Sequence, residues 1–105
     1  MALTEKGNLK YGLVVEGVRH TDFEMRVPTL EDMEEAIEEA GEGACAARVN
    51  RHVWARTLVR LGTLESKAIT PELLGTLEST EYGHLAAAEE ALRGKLVAAS
   101  GSSAS

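Results

Sequence analysis

Besides its acids, this 105-residue chain has one cysteine and three histidines whose side chains suit nucleophilic, acid–base or metal chemistry. Cys45 stands among alanines at a predicted helix start, without the neighbouring base and flanking signature that a cysteine nucleophile needs. The histidines fall on three different predicted elements, and neither a His-x₃-His pair nor a Cys-His cluster has metal-site spacing. They are His20, His52 and His84. The sequence therefore predicts an inert thiol at Cys45, no catalytic residue, no cofactor and no metal, and the protein is not expected to be an enzyme.

Charged residues form two adjacent blocks of opposite sign. Residues 30–43 carry seven acids and no base, whereas residues 44–67 carry five bases against Glu65 alone. A catalytic pair of carboxylates needs one buried member, but these acids share the outer face of one helix, which favours a solvated surface. Four of the residues that follow, spaced by four, form a basic stripe that is long enough to contact phosphate groups. However, the stripe lacks interleaved aromatic residues and the net charge of the chain is −6, so nucleic acid is not an expected partner. We interpret the stripe as pairing with the acids of the preceding helix; its members are Arg48, His52, Arg56 and Arg60.

Composition places the chain among small single-domain proteins. Hydrophobic residues make up 44% and aromatic residues 4%, so the core must rest on Leu, Val and Ala. A single cysteine excludes an internal disulfide, and no apolar run approaches the roughly 20 residues of a membrane span. The N-terminus has no apolar signal-peptide segment. These features predict a soluble, cytoplasmic protein without a membrane partner.

Residues 23–32 divide the chain into a β part and a helical part. Phe23, Met25 and Val27 alternate onto one face of a strand, and Pro28 ends the pairing because it has no N–H to donate. Thr29 is a favourable N-cap, and Asp32 three residues later resembles the partner residue of a capping box.

The β part is predicted as a hairpin over residues 8–27, preceded by a flexible N-terminus at residues 1–7. Alternation predicts one shared face for the apolar residues of the first strand, with a turn at Glu16-Gly17 and a bulge within residues 20–22. The residues expected on that face are Leu9, Tyr11, Leu13 and Val15.

The helical part is predicted as helices at about residues 30–40, 44–61, 71–78 and 81–98, followed by a flexible tail at residues 100–105. The first helix carries one apolar arc, made of Leu30, Met33, Ala36, Ile37 and Ala40. Gly62 is expected to end the second helix, and Thr70-Pro71 to begin the third. The predicted fold is α+β: one domain over residues 8–99, with a hairpin followed by a small bundle of three to four helices. Helix is expected to exceed strand more than two to one.

The order of these elements resembles the tail assembly chaperones of Mu-like and related long-tailed bacteriophages. The family pattern of a hairpin leading to an arginine–x–proline–threonine joint is matched by Arg26, Pro28, Thr29, Asp32 and Ala36. Downstream, residues 56–62 and 69–77 match a leucine-rich helix end and a short helix that begins with threonine and proline. The resemblance covers roughly residues 9–96, and it departs from the family in the glycines at residues 41–43 and in the start of the last helix.

The resemblance implies a non-enzymatic protein of the infected host's cytoplasm. It would bind the tape measure protein, keep it soluble and release it as tail tube subunits polymerise, with the tail tube protein as a further partner. The alternative is a phage or bacterial protein-interaction module or structural tail module, with self-association left open.

Apolar helical positions are the predicted partner-binding residues. The leucine stripe of the last helix is narrow, and its small neighbours permit close approach of another helix; Leu85, Leu92 and Leu96 belong to it. Trp54 is the sole tryptophan and is interpreted either as a core residue or as a second partner-facing anchor.

Overall fold

A four-stranded antiparallel sheet carries the helices of this protein. The computed structural model describes residues 3–101, and the sheet order is β1-β2-β3-β4. The strands are β1 (Thr4–Val15), β2 (Val18–Arg26), β3 (Leu58–Leu61) and β4 (Leu64–Glu65). The helices are α1 (Leu30–Ala40), α2 (Ala46–Thr57), α3 (Pro71–Leu74) and α4 (Glu81–Gly101), with a 3₁₀ turn at Ser66–Ala68.

Strands β1 and β2 form the predicted hairpin, with two differences. The turn is the expected one, with positive φ at Glu16 and Gly17 (51° and 81°). However, β1 begins at Thr4 and pairs there with Arg26, so residues 4–7 are strand and the prediction of a flexible segment is wrong for them. Met1 and Ala2 lie outside the described residues.

An irregularity interrupts the hairpin opposite Thr21. Pairing shifts between Asn8 and Leu13, so the extra residues are in β1 rather than in the predicted segment of β2. Tyr11 falls in this interruption and is 45% exposed, whereas Leu9 and Leu13 are buried as expected. The shared apolar face predicted for the strand therefore excludes Tyr11.

The helix predicted over residues 44–61 is divided between two kinds of structure. Helix α2 ends at Thr57, and Leu58–Leu61 pairs with β2 as a third strand. Met25 pairs with Leu58 and Glu24 with Arg60, which leaves Val59 as an extra, bulged residue. Because of the bulge, Leu58 and Leu61 both face the core, with exposures of 1% and 0%. They are three residues apart, which in the sequence is a helical spacing. Gly62 is thus not a helix end but lies in the β3–β4 turn, with φ 60°.

The remaining helices follow the predicted order with shifted ends. Helix α1 has the predicted bounds, while α3 ends at Leu74 rather than at residue 78. Helix α4 continues to Gly101, so residues 100 and 101 are helical where a flexible tail was predicted; residues 102–105 of that predicted tail lie outside the described part. The fold is α+β. Of the described residues, 51% are helical and 28% are in strands, so helix does not exceed strand two to one, and the β part is more than a hairpin.

The core lies where α2 and α4 cover the sheet. Helix α4 packs mainly against β1, and α1 packs on α2. Side chains from β2, β3 and α4 meet at the centre with at most 1% exposure; they are Phe23, Met25, Leu58, Leu61 and Leu92. Among the described residues, none of the helices has the length and apolar character needed to cross a membrane.

Candidate functional site

The structure separates the four predicted partner-binding residues. Trp54, Leu85 and Leu92 are buried in the core, with exposures of 3%, 2% and 0%, while Leu96 is 44% exposed. The leucine stripe of α4 is narrow, but α4 packs against the sheet and buries Leu85 and Leu92 there. In this conformation only Leu96 is open to a partner at its side chain.

Helix α1 presents an apolar face to solvent. Leu30, Met33 and Ile37 are 71%, 45% and 52% exposed, whereas Asp32 and Ala36 are the residues that α1 buries. An amphipathic helix normally buries its apolar arc. Here the arc predicted from the sequence is divided, with Ala36 inward and the three larger side chains outward.

The reason for this orientation is a polar anchor at the start of α1. Asp32 receives two bonds from the Arg26 guanidinium, at 2.7 and 3.0 Å, and a third from the backbone N–H of Thr29 at 2.8 Å. Arg26 also donates to the carbonyl of Arg56 at the end of α2 (3.1 Å). Because this charge-assisted group must face β2 and α2, the side of α1 that carries Asp32 faces inward.

A groove lies between the start of α1 and the second half of α4. Its cavity measures about 280 Å³, and its lining includes Pro28, Leu30, Met33, Arg93 and Leu96. Ile37, 52% exposed, extends the apolar surface by one turn of α1, because it lies four residues after Met33. We call this surface the α1/α4 groove.

The groove has an acidic rim on its α1 side. Glu31, Glu34 and Glu38 are exposed, and none of them forms an ion pair with a residue that the structure describes. The other acids of α1 face α2 as predicted: Glu39 lies 3.3 Å from Arg56 and 3.2 Å from His52. The predicted pairing of α1 acids with the basic stripe is thus confirmed for those two bases. Arg60 instead bonds to Asp22 of β2 (2.7 Å).

Glu81 is a buried acid that the sequence analysis missed. Its carboxylate is fully buried and accepts bonds from the backbone N–H groups of Lys10, Tyr11 and Gly12 at 2.8–2.9 Å. Burial by itself would raise the pKa of Glu81, but these three donors hold that pKa below its ordinary value. The group closes the interruption in β1 and fixes the first turn of α4 to the sheet. The sequence offered no signal beyond an acid in a first helical turn, because its donors lie about 70 positions away.

The residues with chemistry-bearing types do not form a common centre. Cys45 is exposed at the start of α2, where the backbone N–H of Arg48 lowers the pKa of its thiol. His20 is buried and its Nδ1 accepts from the N–H of Thr63 (3.2 Å), while His84 lies on α4, 3.7 Å from Glu81. Within residues 3–101, no group of three or more His, Cys, Asp or Glu side chains has an arrangement that could hold a metal ion.

No protein-family model, no curated protein and no solved structure matches this chain.

Proposed function

We propose that the protein is a tail assembly chaperone of a long-tailed phage, acting in the cytoplasm of the infected host. It binds helical segments of the tape measure protein and keeps them soluble until the tail tube subunits polymerise around them. The observation that carries the proposal is the exposed apolar face of α1, formed by Leu30, Met33 and Ile37. A domain of this size ordinarily buries such a face, and an exposed one marks an interaction surface.

The joint that underlies the family resemblance supports the same proposal. Arg26 and Thr29 both bond to Asp32, and all three residues match the family pattern from the sequence. Their effect is to turn the apolar face of α1 outward. The bonds made by this motif therefore explain why the helix that follows it exposes its apolar face.

The groove fits an amphipathic client helix with basic flanks. Leu30, Met33 and Ile37 have the i, i+3, i+7 spacing that lies along a helix and meets a second helix's apolar stripe. Glu31, Glu34 and Glu38, which pair with no described residue, lie beside that stripe, so lysine or arginine residues flanking the client stripe would find partners there.

The decisive experiment is co-expression with the tape measure protein encoded in the same genome. Met33→Asp with Ile37→Asp places two charges on the exposed face without touching the core. We expect this variant to keep the wild-type circular dichroism spectrum and urea midpoint, and the tape measure protein to move to the insoluble fraction. Apolar anchors at such sites contribute more than about 1 kcal/mol each, so the double change is visible.

A matched control uses exposed valines on the hairpin. Val14 and Val18 are 56% and 54% exposed and lie outside the groove, so Val14→Asp with Val18→Asp should leave the client soluble. A folded Met33/Ile37 variant that still keeps the client soluble would exclude this face as the binding site. A client that is insoluble even with the wild-type protein would remove the chaperone proposal.

Gene order separates this proposal from the alternative of a general interaction or structural tail module. A tail chaperone is expected from an open reading frame between a tail tube gene and a very long tape measure gene. A different genomic setting would favour the alternative.

A further inference from the structure

A second cavity, of about 470 Å³, lies where the start of α2 meets α3 and α4. Its walls include the buried side chains of Trp54, Leu74 and Leu85. Tyr82 stands edge-on to Trp54, with ring centroids 5.0 Å apart and planes at 63°. This volume and this mainly apolar lining are typical of small-ligand sites. The residues named for the α1/α4 groove do not line it.

Two arginines on this cavity have side chains without an acceptor among the described residues. Arg48 and Arg51 lie one turn apart on α2, and neither guanidinium group forms a hydrogen bond or an ion pair with a residue that the structure describes. Every other arginine that the structure describes bonds to a carboxylate or a carbonyl: Arg19 to Tyr11, Arg26 to Asp32, Arg56 to Glu39, Arg60 to Asp22 and Arg93 to Glu89. Arg48 is exposed, so water hydrates its guanidinium group, whereas Arg51 is half-buried and the lack of an acceptor for it among the described residues needs a reason.

The side chain of Arg51 is also packed closely against Gly75. Its Nε is buried without a hydrogen-bond partner in the described part of the chain, and its guanidinium lies so close to Gly75 that a Cβ there would be 2.3 Å from Nη1. A polar atom buried without an acceptor is unfavourable unless a ligand supplies one. The absence of a side chain at Gly75 leaves room for the guanidinium at this wall of the cavity.

Among the described residues that line the cavity, Glu78 is the single carboxylate, and it is bonded within its own loop. Glu78 accepts from the N–H of Thr80 at 3.1 Å and from the hydroxyl of Ser79 at 3.3 Å, so its oxygens are directed along its own loop. Its charge still opposes an anion, which disfavours a doubly charged group such as a phosphate monoester. Two arginines against one glutamate leave a net single positive charge, which suits a monoanion.

We propose that this cavity binds a carboxylate attached to an aromatic or branched apolar group. The carboxylate bonds to the guanidinium groups of Arg48 and Arg51, and the apolar group lies against Trp54, Leu74 and Tyr82. The planar guanidinium group of arginine can donate two parallel hydrogen bonds to the two oxygens of a carboxylate. The ligand is either a small molecule or the C-terminal carboxylate of a partner chain that ends in an apolar residue.

The sole tryptophan of the chain provides the measurement. Phenylpropionate absorbs below the excitation range of Trp54, so its binding to the full chain can be followed by Trp54 fluorescence. We expect saturable binding with a dissociation constant below about 1 mM, and at least about tenfold weaker binding of the neutral phenylpropanamide, as the loss of charge-assisted bonds requires. Equal binding of the two compounds, or no binding of phenylpropionate, would overturn the proposal.

Variants assign the effect to the two arginines. Arg48→Met and Arg51→Met should each weaken phenylpropionate binding by about tenfold while leaving phenylpropanamide binding unchanged. Arg93→Met, which removes an exposed arginine of α4, is the matched control and should have no effect. If an arginine variant fails to fold, Gly75→Ala keeps both charges but displaces Arg51, and it should weaken phenylpropionate binding in the same way. Wild-type affinity in a folded Arg51→Met or Gly75→Ala protein would contradict the assignment.

Two peptides separate the possible sources of the carboxylate. A tetrapeptide ending in phenylalanine is titrated with a free C-terminus and with an amidated one. Tighter binding of the free peptide than of phenylpropionate, lost on amidation, assigns the cavity to the end of a partner chain. Binding of phenylpropionate alone assigns it to a small molecule.

Discussion

Arg26 and Asp32 form a two-pronged ion pair across the joint between β2 and α1, with N–O distances of 2.7 and 3.0 Å. The hydrogen bonds from Arg26 hold the pKa of Asp32 well below its usual range, and the Thr29 N–H adds to this effect although burial opposes it. Asp32 completes a capping box with Thr29, so one carboxylate both begins α1 and sets which face of α1 turns inward.

Asp32→Asn is expected to lower the free energy of unfolding by about 1–3 kcal/mol at pH 7, because Arg26 loses its charged acceptor and the cap is weakened. The folded pKa of Asp32 is below its ordinary value of 3.8. The stability that it contributes is therefore present above pH 3.8 and is lost as the pH falls toward the folded value.

Urea unfolding of both proteins at a series of pH values from neutral downward tests this. The gap between the wild-type and Asp32→Asn midpoints should narrow on acidification, whereas Glu34→Gln, on the exposed side of α1, should show almost no gap. A gap that stays constant as Asp32 is protonated would mean that this carboxylate does not titrate as described.

Glu81→Gln should destabilise the protein by about 1–3 kcal/mol, because a neutral amide has one acceptor oxygen for the three backbone donors of β1. Glu90→Gln is the control on the same helix, since the Glu90 side chain is 79% exposed and its ion pair with Arg93 is long, at 3.8 Å. Equal urea midpoints for the two variants would show that Glu81 does not fix α4 to β1.

Two glycine substitutions should act in opposite directions. Gly12 has φ 71°, and a Cβ there would lie 2.2 Å from the carbonyl oxygen of His20, so Gly12→Ala should destabilise by more than about 1 kcal/mol. Gly94 lies inside α4 with nothing within 4 Å of an added Cβ, and Gly94→Ala should stabilise by about 0.5–1 kcal/mol. Thermal unfolding measures both effects. An unchanged melting temperature for Gly12→Ala would contradict the positive φ of Gly12 and its close approach to His20.

Leu92 and Leu96 are one helical turn apart but should respond differently to truncation. Leu92 is fully buried, so Leu92→Ala should cost about 2–5 kcal/mol through lost burial and a residual cavity. Leu96 is 44% exposed at the groove, so Leu96→Ala should cost less than about 1 kcal/mol. Denaturant midpoints that change equally would mean that the stripe of α4 is not divided between core and groove.

The features that could be predicted from the sequence are those that depend on interactions between residues a few positions apart. The Glu16-Gly17 turn follows from local backbone preference, and the Thr29–Asp32 box and the Thr70 cap are bonds between residues three apart. The bounds of α1 follow from the cap at its start and from Gly41 at its end. None of these features depends on what packs against them, so residue types and spacing suffice to predict them.

Tertiary structure decided what the local pattern leaves open. Leu58 and Leu61 have a spacing that suits a helix, but their segment pairs with β2 as a strand. The bulge at Val59 allows both side chains to face the core. The same is true of the candidate sites. The outward turn of Leu30, Met33 and Ile37 depends on Arg26 binding Asp32, and the burial of Leu92 depends on a sheet formed by distant residues. That the guanidinium groups of Arg48 and Arg51 lack an acceptor among the described residues follows only from the positions of the acids in the folded chain. Partners far apart in the chain have no fixed spacing, and for that reason their geometry cannot be read from the sequence.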